Sequence, residues 1–276
     1  DKIICSDHTS LDALDPAVFY PFQGTGSWFN LSGNSAHISN SMAPNSMITN
    51  LPNGSTIFQW SVELGSCTSS DIVAISNSSV NASGSDAQTC SSDINALTGN
   101  EPGPGETGVW ACFTPSVTFD NENLYNTAAH NLAVGLNTFT WTVSNANCSD
   151  DAIIQVEYID PVCNAGPDQE ICWDQTSMSA QDPSPGIGTW SILTGSGNFA
   201  DINDPNTLVT SIGLGINSFR WSVTQDGCTE FDDVVITNNA PYANAGSDIE
   251  TCSDTAFLSA QAVQTGETGF WNVLSG

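Results

Sequence analysis

The sequence predicts an all-β protein, a tandem array of small β-sandwich domains of about 80 residues each. The main observation is a Trp-containing stretch that occurs three times, at residues 58–62, 139–143 and 219–223. A cysteine follows each of these Trp residues at the same distance, and apolar and polar residues alternate within each stretch. Alternation is the period of a strand with one buried face. Recurrence at a fixed period indicates an array of domains.

Composition supports strands and turns rather than helices. Of the 276 residues, 39% are hydrophobic and 9% aromatic, which is enough for cores and argues against disorder. Ser, Thr, Asn, Asp and Gly fill the gaps between short apolar runs, and Lys and Arg together number two. These residues favour turns over helix interiors.

Four repeats follow from the positions of Trp and Cys. They are predicted to span residues 1–76, 77–158, 159–239 and 240–276, the first without its opening strand and the fourth in part. The sequence begins inside one repeat and stops inside another. We therefore interpret it as a segment of a longer protein, with its secretion signals and anchor outside these residues.

The third repeat illustrates the predicted strand order. An extended segment leads to Cys172, and strands are then predicted at residues 176–180, 188–193, 207–210, 218–224 and 231–237. Turns are predicted at residues 194–197, 214–217 and 225–227, each of which contains Gly. About seven short strands in 80 residues are typical of an immunoglobulin-like (Ig-like) sandwich. At roughly 3.3 Å per residue, a repeat is about 35–40 Å long and the array forms an elongated rod.

The joints between repeats differ in their proline content. Residues 158–162 and 238–242 each contain Pro, which stiffens a linker. The first joint, residues 76–80, has no Pro, and we expect it to bend more.

The recurring cysteines predict one disulfide inside each repeat. The expected pairs are Cys5–Cys67, Cys90–Cys148 and Cys172–Cys228. A bridge that closes about 60 residues stabilises a domain by roughly 4 kcal/mol in the chain-entropy model. Such bridges imply an oxidising compartment. Buried free thiols are the alternative, and zinc is disfavoured because the sequence has no C-x-x-C pair.

Three cysteines fall outside these pairs. Cys252 has no partner within residues 240–276. Cys112 and Cys163 have no counterparts in the other repeats. We expect them to form a disulfide, a staple across the joint between the second and third repeats. A bond to another chain and two free thiols are the competing interpretations.

Seven tryptophans are predicted to lie in the cores, because each sits in an alternating strand pattern. They are Trp28, Trp60, Trp110, Trp141, Trp190, Trp221 and Trp271. The alternative to a core role is that these tryptophans are exposed and bind a sugar. Trp173 directly follows Cys172 and has no counterpart, so it is either exposed or covers that cysteine.

Acidic residues supply weak candidate calcium ligands. Asp201 and Asp204 lie in one polar loop of the third repeat. Asp168 and Asp248 stand four residues before the first cysteine of their repeats. Clustered carboxylates suit a hard cation such as calcium. Solvated acidic loops are the alternative, and no other cofactor is predicted.

The charge and the absence of a catalytic constellation exclude several functions. A net charge of −28 argues against nucleic-acid binding and against docking on anionic lipid. No apolar run approaches the 18 residues of a membrane span. No nucleophile, base or metal set recurs, so we predict that the protein is not an enzyme.

Two openings and one strand resemble a known family. Residues 164–172 (NAGPDQEIC), residues 243–252 (ANAGSDIETC) and residues 215–223 (GINSFRWSV) resemble PKD-like (Ig-like) repeats. Such repeats occur in very long surface proteins of Bacteroidota, which include gliding-motility adhesins of the SprB type that the type IX system exports. The resemblance implies a surface stalk or adhesin, and it supplies no catalytic residues.

These observations predict a structural stalk or adhesive filament segment at the cell surface, outside the cell, with a possible role in gliding. Its expected partners are further repeats of the same chain, an extracellular surface or glycan ligand, and other copies in a filament. One alternative is a spacer inside a secreted polysaccharide hydrolase. Another is that the repeats are carbohydrate-binding modules.

Overall fold

The computed structural model describes residues 1–18, 24–263 and 265–274. It divides into two compact units, Asp1–Tyr158 and Ile159–Gly276, which are described separately. Strands account for all regular structure in the described residues except one 3-10 turn, Pro16–Val18. No helix in the described ranges is both long and apolar enough to cross a membrane.

The first unit contains the first two repeats. The strands of repeat 1 are β1 (Lys2–Ile4), β2 (Thr9–Ser10), β3 (Thr25–Asn30), β4 (His37–Ile38), β5 (Met47–Thr49), β6 (Gly54–Leu64) and β7 (Cys67–Asn77). They form a four-stranded sheet in the order β1-β7-β6-β3 and a three-stranded sheet in the order β2-β5-β4. The core lies between the two sheets and includes Ile48, Phe58 and Ile75.

Repeat 2 has the same principal sheet. Its strands are β8 (Ala87–Thr89), β9 (Thr107–Cys112), β10 (Thr118–Phe119), β11 (Ala129–His130), β12 (Gly135–Ser144) and β13 (Ser149–Tyr158). The larger sheet has the order β8-β13-β12-β9, and β10 pairs with β11 in the smaller sheet. A single bridge between Ile94 and Ala129 adds to that second layer.

The second unit contains repeat 3. Its strands are β14 (Gln169–Ile171), β15 (Thr176–Ser177), β16 (Ile187–Thr194), β17 (Asn198–Phe199), β18 (Leu208–Thr210), β19 (Gly215–Gln225) and β20 (Cys228–Asn238). The sheets have the orders β14-β20-β19-β16 and β15-β18-β17. All three repeats are thus two-layered, and the predicted fold class of tandem Ig-like sandwiches is confirmed.

The long hairpin of repeat 3 forms where the sequence predicts it. Along β19, Asn217, Phe219, Trp221 and Val223 are buried while their neighbours are not, as alternation requires. β19 turns into β20 through Asp226 and Gly227, which both have positive φ angles of 47° and 89°. A two-residue turn with both φ angles positive matches the twist of the flanking strands.

Some predicted boundaries differ from the structure. The segment at residues 176–180 is a strand only at Thr176–Ser177, and the short β17 lies where no strand is predicted. β19 already begins at Gly215, inside the predicted turn. Short edge strands depend on pairing with a neighbour, which local composition does not encode.

The opening strand of each repeat runs parallel to the last part of the last strand. In repeat 1, Lys2 pairs with Ile75 and Ile4 with Asn77. The registers of β8 with β13 and of β14 with β20 are equivalent. The cysteine that follows the opening strand therefore lies beside the end of the last strand, far from its beginning.

Residues 240–263 and 265–274 contain no described strand, and Trp271 is 53% exposed. The prediction that Trp271 belongs to a core is therefore wrong. In the other repeats the first Trp packs against a second Trp from the long hairpin. Residues 240–276 contain no second Trp, so this packing partner is missing.

Candidate functional site

A pair of tryptophans lies at the centre of each of the three repeats. The ring centroids are 5.0, 4.9 and 5.0 Å apart in the pairs Trp28–Trp60, Trp110–Trp141 and Trp190–Trp221. All six side chains are at most 7% exposed. The first Trp of each pair donates its indole N–H to a loop carbonyl, as Trp110 does to Leu124 O at 3.1 Å. These six residues belong to the cores.

A glycine faces the second Trp of each pair. A Cβ atom added at Gly26, Gly108 or Gly188 would overlap the six-membered ring of that Trp. The large ring therefore fits against the neighbouring strand only because this position has no side chain. The spacing Gly-x-Trp was readable in the sequence, but its packing meaning was not recognised from the pattern.

The indole N–H of the second Trp is not always paired. Trp141 donates to Asn100 O at 3.2 Å, whereas the Nε1 atoms of Trp60 and Trp221 are buried without a partner. A cavity of about 460 Å³ lies beside Trp60, and its lining includes Asp12 and Asp71. Trp60 is only 7% exposed, so the cavity offers little ring surface on which a sugar could stack.

A buried asparagine holds the turn before the Trp strand. Asn217 donates from Nδ2 to Gly213 O at 2.7 Å and to Gly215 O at 3.0 Å, and its Oδ1 accepts from Ser196 N at 3.0 Å. Asn137 makes the equivalent bonds to Ala133 and Gly135 in repeat 2. In repeat 1 this position is Thr56, which accepts from Asn34. In repeats 2 and 3 the asparagine side chain thus supplies hydrogen bonds to backbone groups that the turn leaves without a backbone partner.

The aspartates before the first cysteines have a structural partner in three repeats. Asp168 Oδ1 accepts a hydrogen bond from Val235 N at 2.8 Å. Asp1 and Asp86 accept equivalent bonds from Ala74 N and Gln155 N, at 3.0 and 2.7 Å. Asp248 lies in an exposed segment. Asp168 therefore ties the chain entering its repeat to the last strand.

The two loop aspartates fold the loop itself. Asp201 Oδ1 accepts from Asn203 N and Asp204 Oδ1 from Asn206 N, both at 2.9 Å. Such bonds are local turn contacts of Asp side chains. No group of three or more His, Cys, Asp or Glu side chains that could hold a metal ion occurs in the part of the chain that the structure describes. The calcium prediction gains no support from this geometry.

Two of the basic side chains, His130 and Arg220, lie against carboxylates. His130 Nε2 lies 3.0 Å from Asp120 Oδ1, and Nδ1 lies 3.4 Å from Asp93 Oδ1. The hydrogen bond to Asp120 raises the pKa of His130, and the charges of Asp120 and Asp93 add to the effect. In repeat 3, Arg220 forms a two-pronged pair with Asp233, which lowers the pKa of that carboxyl.

The cysteines pair differently from the prediction. Cys5 forms a disulfide with Cys148, across a sequence separation of 143 residues and with a Cα–Cα distance of 5.6 Å. This bridge joins the opening strand of repeat 1 to the hairpin of repeat 2. Cys90 and Cys228 are each disulfide-bonded as well. Five thiols are free: Cys67, Cys112, Cys163, Cys172 and Cys252.

The predicted bridges inside the repeats are therefore wrong. Cys5–Cys67 and Cys90–Cys148 fail because Cys5 and Cys148 are bonded to each other. Cys172–Cys228 fails because Cys172 is free. The reason is the parallel register: Cys5 follows Ile4, which pairs with Asn77 at the end of β7, whereas Cys67 begins that strand. An 11-residue strand spans about 35 Å, and a disulfide needs Cα atoms within about 7 Å.

The predicted Cys112–Cys163 staple is also wrong, because both thiols are free. Cys112 is the last residue of β9 and pairs with Phe139 in the sheet. The Cys163 thiol donates to Trp221 O at 3.2 Å, and burial raises its pKa. Each thiol thus has its own place inside its repeat.

The Cys5–Cys148 bridge is part of a tightly bonded joint. Ser78 N donates to Ile4 O at 2.9 Å, and Ser78 O accepts from Asn145 Nδ2 at 2.8 Å. Asn53 donates from Nδ2 to Ser79 O at 3.1 Å and accepts at Oδ1 from Ser79 Oγ at 2.8 Å. The first joint was expected to bend because it has no Pro. Instead, the disulfide and these hydrogen bonds link the joint to both repeat 1 and repeat 2.

Val80 and Ala82 continue the joint into repeat 2. Both side chains pack against the core of that repeat. Ala82 N donates to Asp150 Oδ2 at 2.8 Å, next to the hairpin that carries Cys148. In repeat 3, Ala165 N donates to Asp232 Oδ2 at 2.8 Å, two residues further along the last strand than the position equivalent to Asp150. In both repeats an aspartate of the last strand thus holds the segment by which the chain enters.

Comparisons with known proteins found no matching family model and no matching curated protein. Among solved structures, domains 3–5 of Drosophila OTK cover 87% of this chain and 94% of their own, with 11% identity and a TM-score of 0.37. A PKD domain from the KIAA 1837 protein covers 29% of this chain and 90% of its own, with 20% identity and a TM-score of 0.25.

An endo-fucoidan hydrolase of glycoside hydrolase family 107 also matches. It covers 84% of this chain, which spans 43% of that enzyme, with 13% identity and a TM-score of 0.24. All three TM-scores lie below 0.5. The assignment to Ig-like sandwiches therefore rests on the strand order and on the two-layered core of each repeat.

Proposed function

We propose that this chain is a load-bearing segment of an extracellular stalk or adhesive filament. The observation that carries the proposal is the Cys5–Cys148 bridge between consecutive repeats. A force that pulls on the two ends of the chain passes from Cys5 directly to Cys148 through the disulfide. The residues between them are a closed loop and cannot be drawn out while the bridge is intact.

The location follows from the same chemistry. Disulfides persist in oxidising environments, so the bridges support a place outside the cytoplasm. The net charge of −28 keeps a long polymer soluble and makes neighbouring copies repel each other. Both features suit a protein that extends from a cell without bundling.

The finer proposal concerns the kind of stalk. The resemblance of residues 164–172 and 243–252 to PKD-like repeats supports a giant surface adhesin of Bacteroidota, exported by the type IX system and active in gliding. The partners would be further repeats of the same chain, an extracellular surface or glycan, and other copies in a filament. The role is non-catalytic, because the repeated features are cores, turns and joints.

Electron microscopy of intact cells of the source organism tests the proposal. The probe is a gold-labelled antibody raised against this chain, and we expect gold along thin filaments that leave the cell surface. Gold confined to compact particles, or antigen found only in the medium, would contradict the stalk and favour a spacer in a secreted polysaccharide hydrolase. Binding of a single isolated repeat to a glycan array would favour carbohydrate-binding modules.

A further inference from the structure

Cys67 and Cys172 are exposed free thiols, and they hold positions equivalent to the two cysteines that bridge repeats 1 and 2. Cys67 starts the last strand of repeat 1, the place that Cys148 holds in repeat 2. Cys172 follows the opening strand of repeat 3, the place that Cys5 holds in repeat 1. Cys67 is thus the counterpart of Cys148, and Cys172 is the counterpart of Cys5.

The register of the opening strand shows that Cys172 and Cys5 are equivalent. Ile171 pairs with Asn238 as Ile4 pairs with Asn77. Asn239 N donates to Ile171 O at 2.7 Å, as Ser78 N does to Ile4 O at 2.9 Å. The backbone that presents Cys5 to the next repeat is therefore already formed around Cys172.

The burial of the hairpin cysteines gives a second observation. Cys148, which is bonded to Cys5 across the joint, is 6% exposed. Cys228 holds the same hairpin position, is disulfide-bonded and is 3% exposed. Cys67 is free and exposed. A bonded cysteine at this position is thus buried, and the surface around Cys67 is what a docked opening strand would cover.

We propose that Cys67 and Cys172 are covalent docking points for further Ig-like repeats. Cys67 takes the opening-strand cysteine of one repeat, and Cys172 takes the hairpin cysteine of another. The two ends are complementary, so the connection has a direction. This proposal does not depend on the stalk role, because it concerns only which cysteines form disulfides between repeats.

The bond forms by thiol–disulfide exchange. A low-molecular-weight disulfide such as oxidised glutathione accepts the electrons: the thiolate of one cysteine attacks it, and the second cysteine displaces the glutathione thiolate. Two protein thiols and one glutathione disulfide thus give one protein disulfide and two glutathione thiols. Trp173, which is 75% exposed beside Cys172, offers apolar surface to the incoming repeat.

The first test places a complete repeat after repeat 3. Residues 1–238 are fused to a second copy of residues 78–158, because Asn238 and Asn77 end the last strands of their repeats. After refolding in glutathione buffer, we expect Cys172 to be bonded to Cys148 of the second copy and protected from iodoacetamide. Mass spectrometry of non-reduced peptides identifies the pair. In the control, Cys148→Ser in the second copy leaves Cys172 reactive.

The Cys5–Cys148 bridge of the first copy serves as an internal check on folding in the same digest. A Cys172 thiol that alkylates fully while this bridge is present contradicts docking within one polypeptide. A Cys172 that pairs with any cysteine other than a hairpin cysteine contradicts the directional rule.

The second test asks whether two separate chains can join. Full-length chains carry Cys112→Ser, Cys163→Ser and Cys252→Ser, and either Cys67→Ser or Cys172→Ser in addition. Neither chain alone should form a covalent dimer, whereas their mixture should form one through Cys67 and Cys172. Quenching or a spectral shift of Trp173 fluorescence should accompany the bond.

The two experiments together decide the partner. A bridge in the fusion alone assigns docking to repeats of one polypeptide, and bridges in both experiments extend it to a second chain. Dimers of the Cys67→Ser chain through two Cys172 residues would mean unspecific oxidation and overturn the proposal. The absence of a bridge in both experiments would overturn it as well.

Discussion

A single buried asparagine organises the turn before each Trp strand in repeats 2 and 3. Asn217 is 1% exposed and satisfies the backbone of Ser196, Gly213 and Gly215. A polar side chain at this depth is stable only because its hydrogen bonds are complete. Removing it takes away the hydrogen-bond partner of Ser196 N, Gly213 O and Gly215 O.

We therefore expect Asn217→Ala to lower the free energy of unfolding of repeat 3 by about 2–4 kcal/mol, since three hydrogen bonds are lost and each contributes about 0.5–1.5 kcal/mol. Urea denaturation followed by fluorescence measures the change. Asn206→Ala is the matched control, because Asn206 is exposed and only its backbone N–H is bonded to Asp204. Equal stability of the two variants would contradict the role of Asn217.

His130 gives repeat 2 a pH-dependent contact. Its pKa is raised, mainly by the hydrogen bond to Asp120, so the folded state binds a proton more tightly than the unfolded state. The stabilisation is fully present below the ordinary pKa of about 6.5 and is lost as pH rises through the raised folded pKa. We expect the melting temperature to exceed that of His130→Gln by more at pH 5.5 than at pH 8.5. A difference that does not change with pH would argue against the contact.

At the scale of elements, the parallel opening strand decides the architecture of the joint. It places the first cysteine of a repeat at the end of the last strand, and the hairpin cysteine lies at the beginning of that strand. The two cysteines of one repeat therefore face opposite ends of the sandwich. A bridge can form only between a repeat and its neighbour.

This arrangement predicts that the Cys5–Cys148 bridge couples the stability of the first two repeats. For a loop of 143 residues, the chain-entropy model gives at most about 5 kcal/mol. The double variant Cys5→Ser/Cys148→Ser should lose stability and should separate the unfolding of the two repeats into two urea transitions. Cys67→Ser, which removes an exposed free thiol, should leave the transition unchanged.

At the scale of the whole molecule, the bridge determines how far the chain can be stretched. Reduction should lengthen the fully unfolded chain by at least 143 residues, or about 500 Å at roughly 3.5 Å per residue, because it also opens the disulfides of Cys90 and Cys228. Force spectroscopy with handles at both termini, with and without a reductant, measures the contour length. Equal contour lengths under the two conditions would show that the bridge does not carry the load.

The scarcity of basic residues predicts resistance to trypsin. The chain contains only Lys2 and Arg220, and Arg220 lies within β19, bonded to Asp233 and 3.6 Å from the ring centroid of Phe231. Cleavage after Arg220 requires local unfolding of repeat 3. We expect the native chain to lose at most residues 1–2 by cleavage after Lys2, and the reduced chain in urea to give fragments 3–220 and 221–276 on a reducing gel. Rapid fragmentation of the native chain would contradict this.

The sequence by itself determined the features that depend on neighbouring residues. Alternation predicted the long strands, the Gln225–Gly227 turn signal predicted the β19–β20 hairpin, and the recurring Trp residues identified the centres of three repeats. These features are local because a strand's period and a turn's backbone angles are encoded within a few residues. The Gly-x-Trp spacing was visible too, although only the packed ring explains it.

Only the tertiary structure decided which cysteines meet and what the aspartates do. The spacing of Cys5 and Cys67 suits a bridge inside the repeat until β1 is known to pair with the end of β7. The sequence suggested Asp168 as a cation ligand, whereas in the structure it accepts a hydrogen bond from Val235 N. In both cases the deciding contact joins residues more than 60 positions apart. The register of such a pair depends on the packed sheet, which no local pattern in the sequence encodes.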